Sequence, residues 1–273
     1  MYTHLSLFSG IGGLDLAAEM AGFTTVGQCE WADFPTKVLE KHWPDVPRWR
    51  DVRTLTGDDF YKQTGLRTVD VISGGFPCQP FSVAGKQEGK NDERYLWPEM
   101  CRVISELKPH YIVGENVPGI LRIAAADVVT DLEREGYNIV VFDYEAAAVG
   151  AFHRRERVFF VGERISGFVE NAGRRRRLKS RVLQEQQRRS QSQRRGKIVA
   201  DAKMRREPGK LTGWSETRRP CSLRRWAAEP DVGRVAHGIP YRMDRIKSLG
   251  NAVVPQQAFP IFNAIMEVLS DGK

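Results

Sequence analysis

Short apolar runs alternate with longer amphipathic ones through the first 163 residues. HLSLF (4–8) reads as a strand and GGLDLAAEMAGF (12–23) as a helix that ends near Gly22. TTVGQCE (24–30) is a second strand, PTKVLEKHW (35–43) a helix, and VDVISGG (69–75) a third strand. LWPEMCRVISELK (96–108) follows as a helix, YIVGENV (111–117) as a strand and AADVVTDLEREGY (125–137) as a helix. NIVVFDYEA (138–146) and RVFFVGER (157–164) close the series as strands. Strands alternating with helices predict an α/β fold with a doubly wound, parallel or mostly parallel sheet. Functional loops of such sheets lie at the carboxyl ends of the strands. The stretch Phe8–Gly13, Glu30, Cys78 and Glu115 all fall at such ends.

The pattern changes at residue 164. From Arg164 to Arg225 there are 20 Lys and Arg against 5 Asp and Glu, while the rest of the chain carries 22 against 29. One segment therefore makes the 273-residue chain basic, at a formal charge of +8. RRRRLKSRVLQEQQRRSQSQRRGK (174–197) is poor in core-forming residues, which suits a solvated insert. It also suits a polyanion-binding surface, and the two readings are compatible. Order returns towards the C-terminus. Residues 229–256 read as turn-rich, and QQAFPIFNAIMEVLS (256–270) as an amphipathic helix packed back on the sheet. The expected division is 1–163, a basic region over 164–235, and a C-terminal segment 236–273 that rejoins the first part.

Some classes are set aside. No apolar run approaches the roughly 20 residues of a membrane helix. MYTHLSLFSG lacks the basic-then-apolar layout of a signal peptide, so a cytoplasmic chain is expected. Cys29, Cys78, Cys101 and Cys221 show no CxxC spacing and no clustering with histidines, which predicts neither a metal site nor a disulfide framework.

Four stretches carry candidate chemistry. In LFSGIGGLDLAAE a strand runs through Gly10, Gly12 and Gly13 into a helix, a turn that lets backbone approach a ligand. It is not GxGxxG, since Asp15 stands where the last glycine would fall. Glu30 ends the next strand, where a carboxylate can accept both hydroxyls of a ribose. Trp31 beside it suits stacking on adenine or a place in the core. These features predict an adenosine-bearing cofactor. In GGFPCQPFS, Pro77 and Pro80 stiffen the turn around Cys78. A thiolate so held has a fixed direction of attack; a buried structural thiol is the alternative. Glu115 in GENVPG suits a buried carboxyl kept protonated, or else a cap or a surface acid. Arg155 and Arg157 in FHRRERVFF share one face of a strand, suited to an oxyanion or carbonyl oxygen, or else are two surface arginines.

FSGIGGLDLAAEMAGF, the Glu30 strand, RDV (50–52), GGFPCQPFS, GENVPGIL, RRERVFFVG and the late GNAVVPQ occur in an order that resembles the cytosine-5 DNA methyltransferase family. The resemblance covers most of the chain. It implies a Rossmann-like methyltransferase sheet with a small basic target-recognition lobe. It implies S-adenosylmethionine as cofactor, double-stranded DNA as partner, no metal and a monomer. By the same resemblance, Cys78 would attack carbon 6 of a cytosine flipped out of the duplex, at a cost of a few kcal/mol in stacking and pairing. Glu115 would hold N3 and the exocyclic amine, Arg157 would contact O2, and Arg155 would support the site. Carbon 5 would then take the methyl group. The loop after Cys78 would close over the base. Phe8, Gly10 and Gly12 would surround the cofactor, with Glu30 on the ribose, Trp31 and Asp51 near the adenine, and Leu96 and Asn251 completing the pocket. Arg174, Arg175, Arg176 and Arg177 would touch phosphates rather than bases. The family pattern has Gln before the RRER-type run, where this chain has His153. Two alternatives stay open: a related enzyme acting on tRNA, and a DNA-binding protein that keeps the fold without catalysis. The chain's compactness points to a prokaryotic or phage-infected cell.

Overall fold

Each strand places alternate side chains on opposite faces, and both faces of this sheet are apolar, so helices must cover both. The computed structural model describes residues 1–77, 95–165 and 241–271 in that arrangement. Among the described residues the elements are β1 (Tyr2–Leu7), α1 (Gly13–Met20), β2 (Phe23–Cys29), α2 (Asp33–His42), β3 (Arg48–Trp49), α3 (Gly57–Thr64) and β4 (Val71–Gly74). Then come α4 (Trp97–Leu107), β5 (Tyr111–Asn116), α5 (Ile120–Ile123), α6 (Ala125–Arg134), β6 (Tyr137–Glu145), β7 (Glu156–Arg164), α7 (Arg242–Asn251) and α8 (Pro255–Asp271). The sheet order is β3-β2-β1-β4-β5-β7-β6. Pairing is parallel from β3 through β5, and β7 runs antiparallel to both of its neighbours. The chain reverses at β1, passing outward to β2 and then back across to β4. That is the switch point at which open α/β sheets bind ligands.

Two apolar layers sandwich the sheet. On one side Ile72, Ile112 and Phe160 pack with Phe60 of α3, Trp97, Met100 and Ile104 of α4, and Val128 and Leu132 of α6. On the other, Val71, Val113 and Phe159 pack with Leu14 and Ala17 of α1 and with Ile261 and Phe262 of α8. Neighbouring residues thus point to opposite cores. The C-terminal helix does return to the sheet, as its apolar stripe predicts.

The expected strands and helices are present with small boundary shifts. Four elements were not expected: β3, α3, α5 and α7. The last corrects the turn-rich reading of 229–256, because residues 242–251 are helical. The first 168 residues and residues 241–273 form one compact unit. The second unit, Val169–Pro240, takes in the expected basic region from residue 169 onward and lies outside the described residues. No described helix is long and apolar enough to cross a membrane.

Candidate active site

The turn after β1 is where backbone geometry first departs from the ordinary. Phe8 holds φ 53°, a left-handed conformation that costs a bulky L-residue about 1–2 kcal/mol. Such strain gathers at binding sites. The turn is tied to its neighbour: Ser9 N donates to Cys29 O at 3.0 Å, and Gly10 N donates to Glu30 Oε2 at 2.8 Å. Ala32 N donates to Glu30 Oε1 at 2.8 Å. Both carboxylate oxygens of Glu30 therefore accept one amide each and keep a lone pair for a further donor. A side chain at Gly10 would meet nothing within 4 Å, so the turn has open room above it.

Trp31 is 67% exposed. Of its two readings, the core one is excluded, and a large flat aromatic is left facing solvent at the strand end. Arg50 Nη2 holds the Trp31 carbonyl at 2.7 Å, and the Arg53 guanidinium lies 6.0 Å from the Trp31 ring centroid. Arg53 also pairs with Asp51 at 3.0 Å. Burial pushes the Asp51 carboxyl up, but the Arg53 amide and guanidinium outweigh it and hold the group below the ordinary range. The strand ends of β1, β2 and β3 thus bring Phe8, Gly10, Gly12, Glu30, Trp31 and Asp51 together. Leu96 is the residue before α4 and packs half-buried against the first core. Asn251 ends α7 and is exposed.

Residues 252–255 close on the same turn, and Gly13 is why they can. A β-carbon on Gly13 would sit 2.5 Å from the Val253 carbonyl oxygen. Beside it lies an open, mostly apolar pocket of about 290 Å³ lined by Ile11, Leu16, His153, Leu249, Val253 and Pro255. His153, the residue that departs from the family pattern, faces this pocket.

The second cluster sits at the end of β5. Glu115 is 7% exposed and receives Arg157 Nε at 2.7 Å. Burial pushes its carboxyl up to about 7 despite the opposing charges of Arg157 and Arg155. At neutral pH the group is divided between proton donor and anion. Gly75 lets it sit there, since a β-carbon on Gly75 would stand 2.9 Å from Glu115 Oε2. The next residue of β5, Asn116, donates from Nδ2 to Phe76 O at 3.0 Å. That bond fixes the backbone two residues before Cys78. The described chain stops at Pro77, and Cys78 and Arg174–Arg177 lie outside the described residues.

Arg155 and Arg157 diverge. Arg157 turns to Glu115. Arg155, at φ 41°, donates from Nη2 to Gly250 O at 2.9 Å and to Ala252 O. Gly13 was already part of the glycine turn read from the sequence, whereas Gly75, Asn116 and Gln257 were not singled out there. The doubled glycine before Cys78 and the Asn of the Glu-Asn-Val element were available signals for two of them. Among the described residues no group of three His, Cys, Asp or Glu side chains is placed to hold a metal ion.

A family described as C-5 cytosine-specific DNA methylase matches residues 2–225. Among curated proteins, the Type II methyltransferase M.FnuDI of Fusobacterium nucleatum is 36% identical over 165 residues, which is 59% of this chain and 46% of that protein. The Type II methyltransferase M.NgoFVII of Neisseria gonorrhoeae is 37% identical over 170 residues, 60% of this chain and 44% of that protein. The chain spans about half the length of these curated relatives. Among solved structures, a prophage-encoded protein of E. coli assigned as a DNA modification methyltransferase superposes with a TM-score of 0.53 at 29% identity. That match covers 60% of this chain and 47% of the other.

Proposed function

Because the chain belongs to the C-5 cytosine-specific DNA methylase family, we propose that it transfers a methyl group to carbon 5 of cytosine in a specific duplex DNA sequence. The observation that carries this reading is the buried Glu115–Arg157 pair at 2.7 Å, one strand away from the turn that leads to Cys78. S-adenosylmethionine would supply the methyl group. The open turn over Gly10, the spare lone pairs of Glu30 and the exposed face of Trp31 fit its adenosine. In this reading Asp51, Leu96 and Asn251 would complete the pocket, with Phe8 and Gly12 shaping the turn.

The target base is flipped from the duplex and held by the protein's own groups. Glu115 holds N3 and the exocyclic amine, and its raised pKa keeps a proton available there at neutral pH. Arg157, already aligned on Glu115, meets O2. The Cys78 thiolate adds to carbon 6, which makes carbon 5 electron-rich. After methylation a base removes the 5-proton, and the carbon 6–sulfur bond breaks to release Cys78. The arginines 174–177 contact phosphates, in a target-recognition region within 164–235. The protein acts as a monomer in the cytoplasm.

The test uses labelled S-adenosylmethionine with duplex DNA, tRNA or neither. Label in duplex DNA that is lost in Cys78→Ala, with DNA binding retained, supports the reading. Label in tRNA would transfer it to the RNA enzyme, and no label with DNA bound would leave a binding protein.

A further inference from the structure

We propose that Arg155 is a positioning residue for the cofactor side of the site rather than a contact to the target base, and that Gln257 is its partner in that task. This rests on the methyltransferase reading above. Arg155 precedes the first residue of β7, yet its guanidinium turns away to the carbonyls of Gly250 and Ala252, which flank Asn251. Those carbonyls belong to the last turn of α7 and the residue that follows it. A cation at a helix C-terminus satisfies acceptors that the helix leaves unpaired.

Gln257 closes the arrangement from the other side. It is fully buried at the start of α8. Its side-chain Nε2 donates to Tyr144 O at 2.8 Å and to Arg155 O at 3.1 Å, and its main-chain carbonyl accepts from the Tyr144 hydroxyl. The strained φ of Arg155 is thus fixed at both ends, by its side chain and by its carbonyl. Arg155 Nε and Gln257 Oε1 are buried without a partner among the described residues. Each carries a desolvation cost, offset by the bonds that fix the pair in place. What is placed is the stretch 250–255, which carries Asn251 and packs its Val253 carbonyl against Gly13 of the glycine turn.

The experiment measures S-adenosylhomocysteine affinity of the free protein by calorimetry, together with KM for DNA and the single-turnover rate. The variants are Arg155→Ala, Arg155→Lys and Gln257→Met, each checked by melting. Loss of the two carbonyl bonds should weaken cofactor binding about tenfold, with KM for DNA close to wild type. Arg155→Lys, which keeps a donor and the charge beside Glu115, should recover part of the affinity. Gln257→Met fills the same volume without donors and should weaken the cofactor as well. Wild-type cofactor affinity in the folded Lys and Met variants, or a loss confined to DNA binding, overturns the proposal. A wild-type chain that does not bind S-adenosylhomocysteine would instead count against the functional reading itself.

Discussion

Gly75→Ala probes the geometry of the Glu115–Arg157 pair without removing any polar group. The new β-carbon would lie 2.9 Å from Glu115 Oε2, where ordinary contact begins at 3.4 Å, so about 0.5 Å must be found. Gly75 is not in the left-handed region, so the effect is steric and not one of backbone strain. The neighbour that yields is the end of the Glu115 side chain, since it can rotate more cheaply than β4 or β5 can part. That rotation acts on a carboxyl held at 2.7 Å by Arg157 and draws the pair out of short hydrogen-bond range. Crowding of this kind costs about 1–3 kcal/mol, and the movable side chain places Gly75→Ala near the lower end. A misplacement of ~1 Å can cost ~100-fold in rate, so half that distance should cost about tenfold. Urea melts give the stability change, and single-turnover methylation of duplex DNA with saturating cofactor gives the rate. S-adenosylhomocysteine binding should be unchanged. A folded Gly75→Ala variant that methylates as fast as wild type would refute the assignment of Glu115.

Other expectations follow from single groups. The native state holds the Glu115 proton from the ordinary carboxylate value of 4.5 up to about 7, a window in which the unfolded chain has lost it. Stability should therefore fall as pH rises through that window. Glu115→Gln should abolish that slope and cost ~100-fold or more in methylation rate; an unchanged slope in pH-dependent melts would exclude the raised pKa. Trp31→Ala should weaken S-adenosylhomocysteine by about 1–3 kcal/mol, as loss of a stacking partner does, without altering the melting temperature; calorimetry with unchanged affinity would return Trp31 to an idle surface position. Gly13→Ala sets a β-carbon 2.5 Å from the backbone oxygen of Val253, which no rotamer change relieves. Denaturant melts should show a loss of at least about 1–3 kcal/mol, and wild-type stability would mean that 252–255 does not close on the glycine turn.

The sequence pattern carried most of the sheet because β1, β2, β5 and β7 are short, largely buried strands bounded by turn signals, and their period and length are local properties. What escaped was also physical. β3 is two residues long, too short to show any period. α3 buries only Phe60, so GDDFYKQT presents no stripe. α7 is almost wholly exposed, and a helix without a buried face leaves no hydrophobic signature. The direction of β7 was legible in principle. Residues 146–155 separate it from β6, fewer than the dozen or so that a parallel crossover needs. In the site, Glu30 and Glu115 were legible because strand ends are readable and acids there are conspicuous. The opposite turns of Arg155 and Arg157 were not. Two residues on one nominal face are separated only by the φ of Arg155 and by carbonyls some 95 positions away along the chain. Trp31 was left between core and site, and its exposure excludes the core.

The central claim is tested most directly by methylating mixed-sequence duplex DNA with the purified chain and S-adenosylmethionine, then reading every cytosine by bisulfite sequencing. Cytosines should be protected from conversion in one short sequence context, and none with Cys78→Ala. Full conversion everywhere, with the folded chain bound to both DNA and S-adenosylhomocysteine, would contradict it.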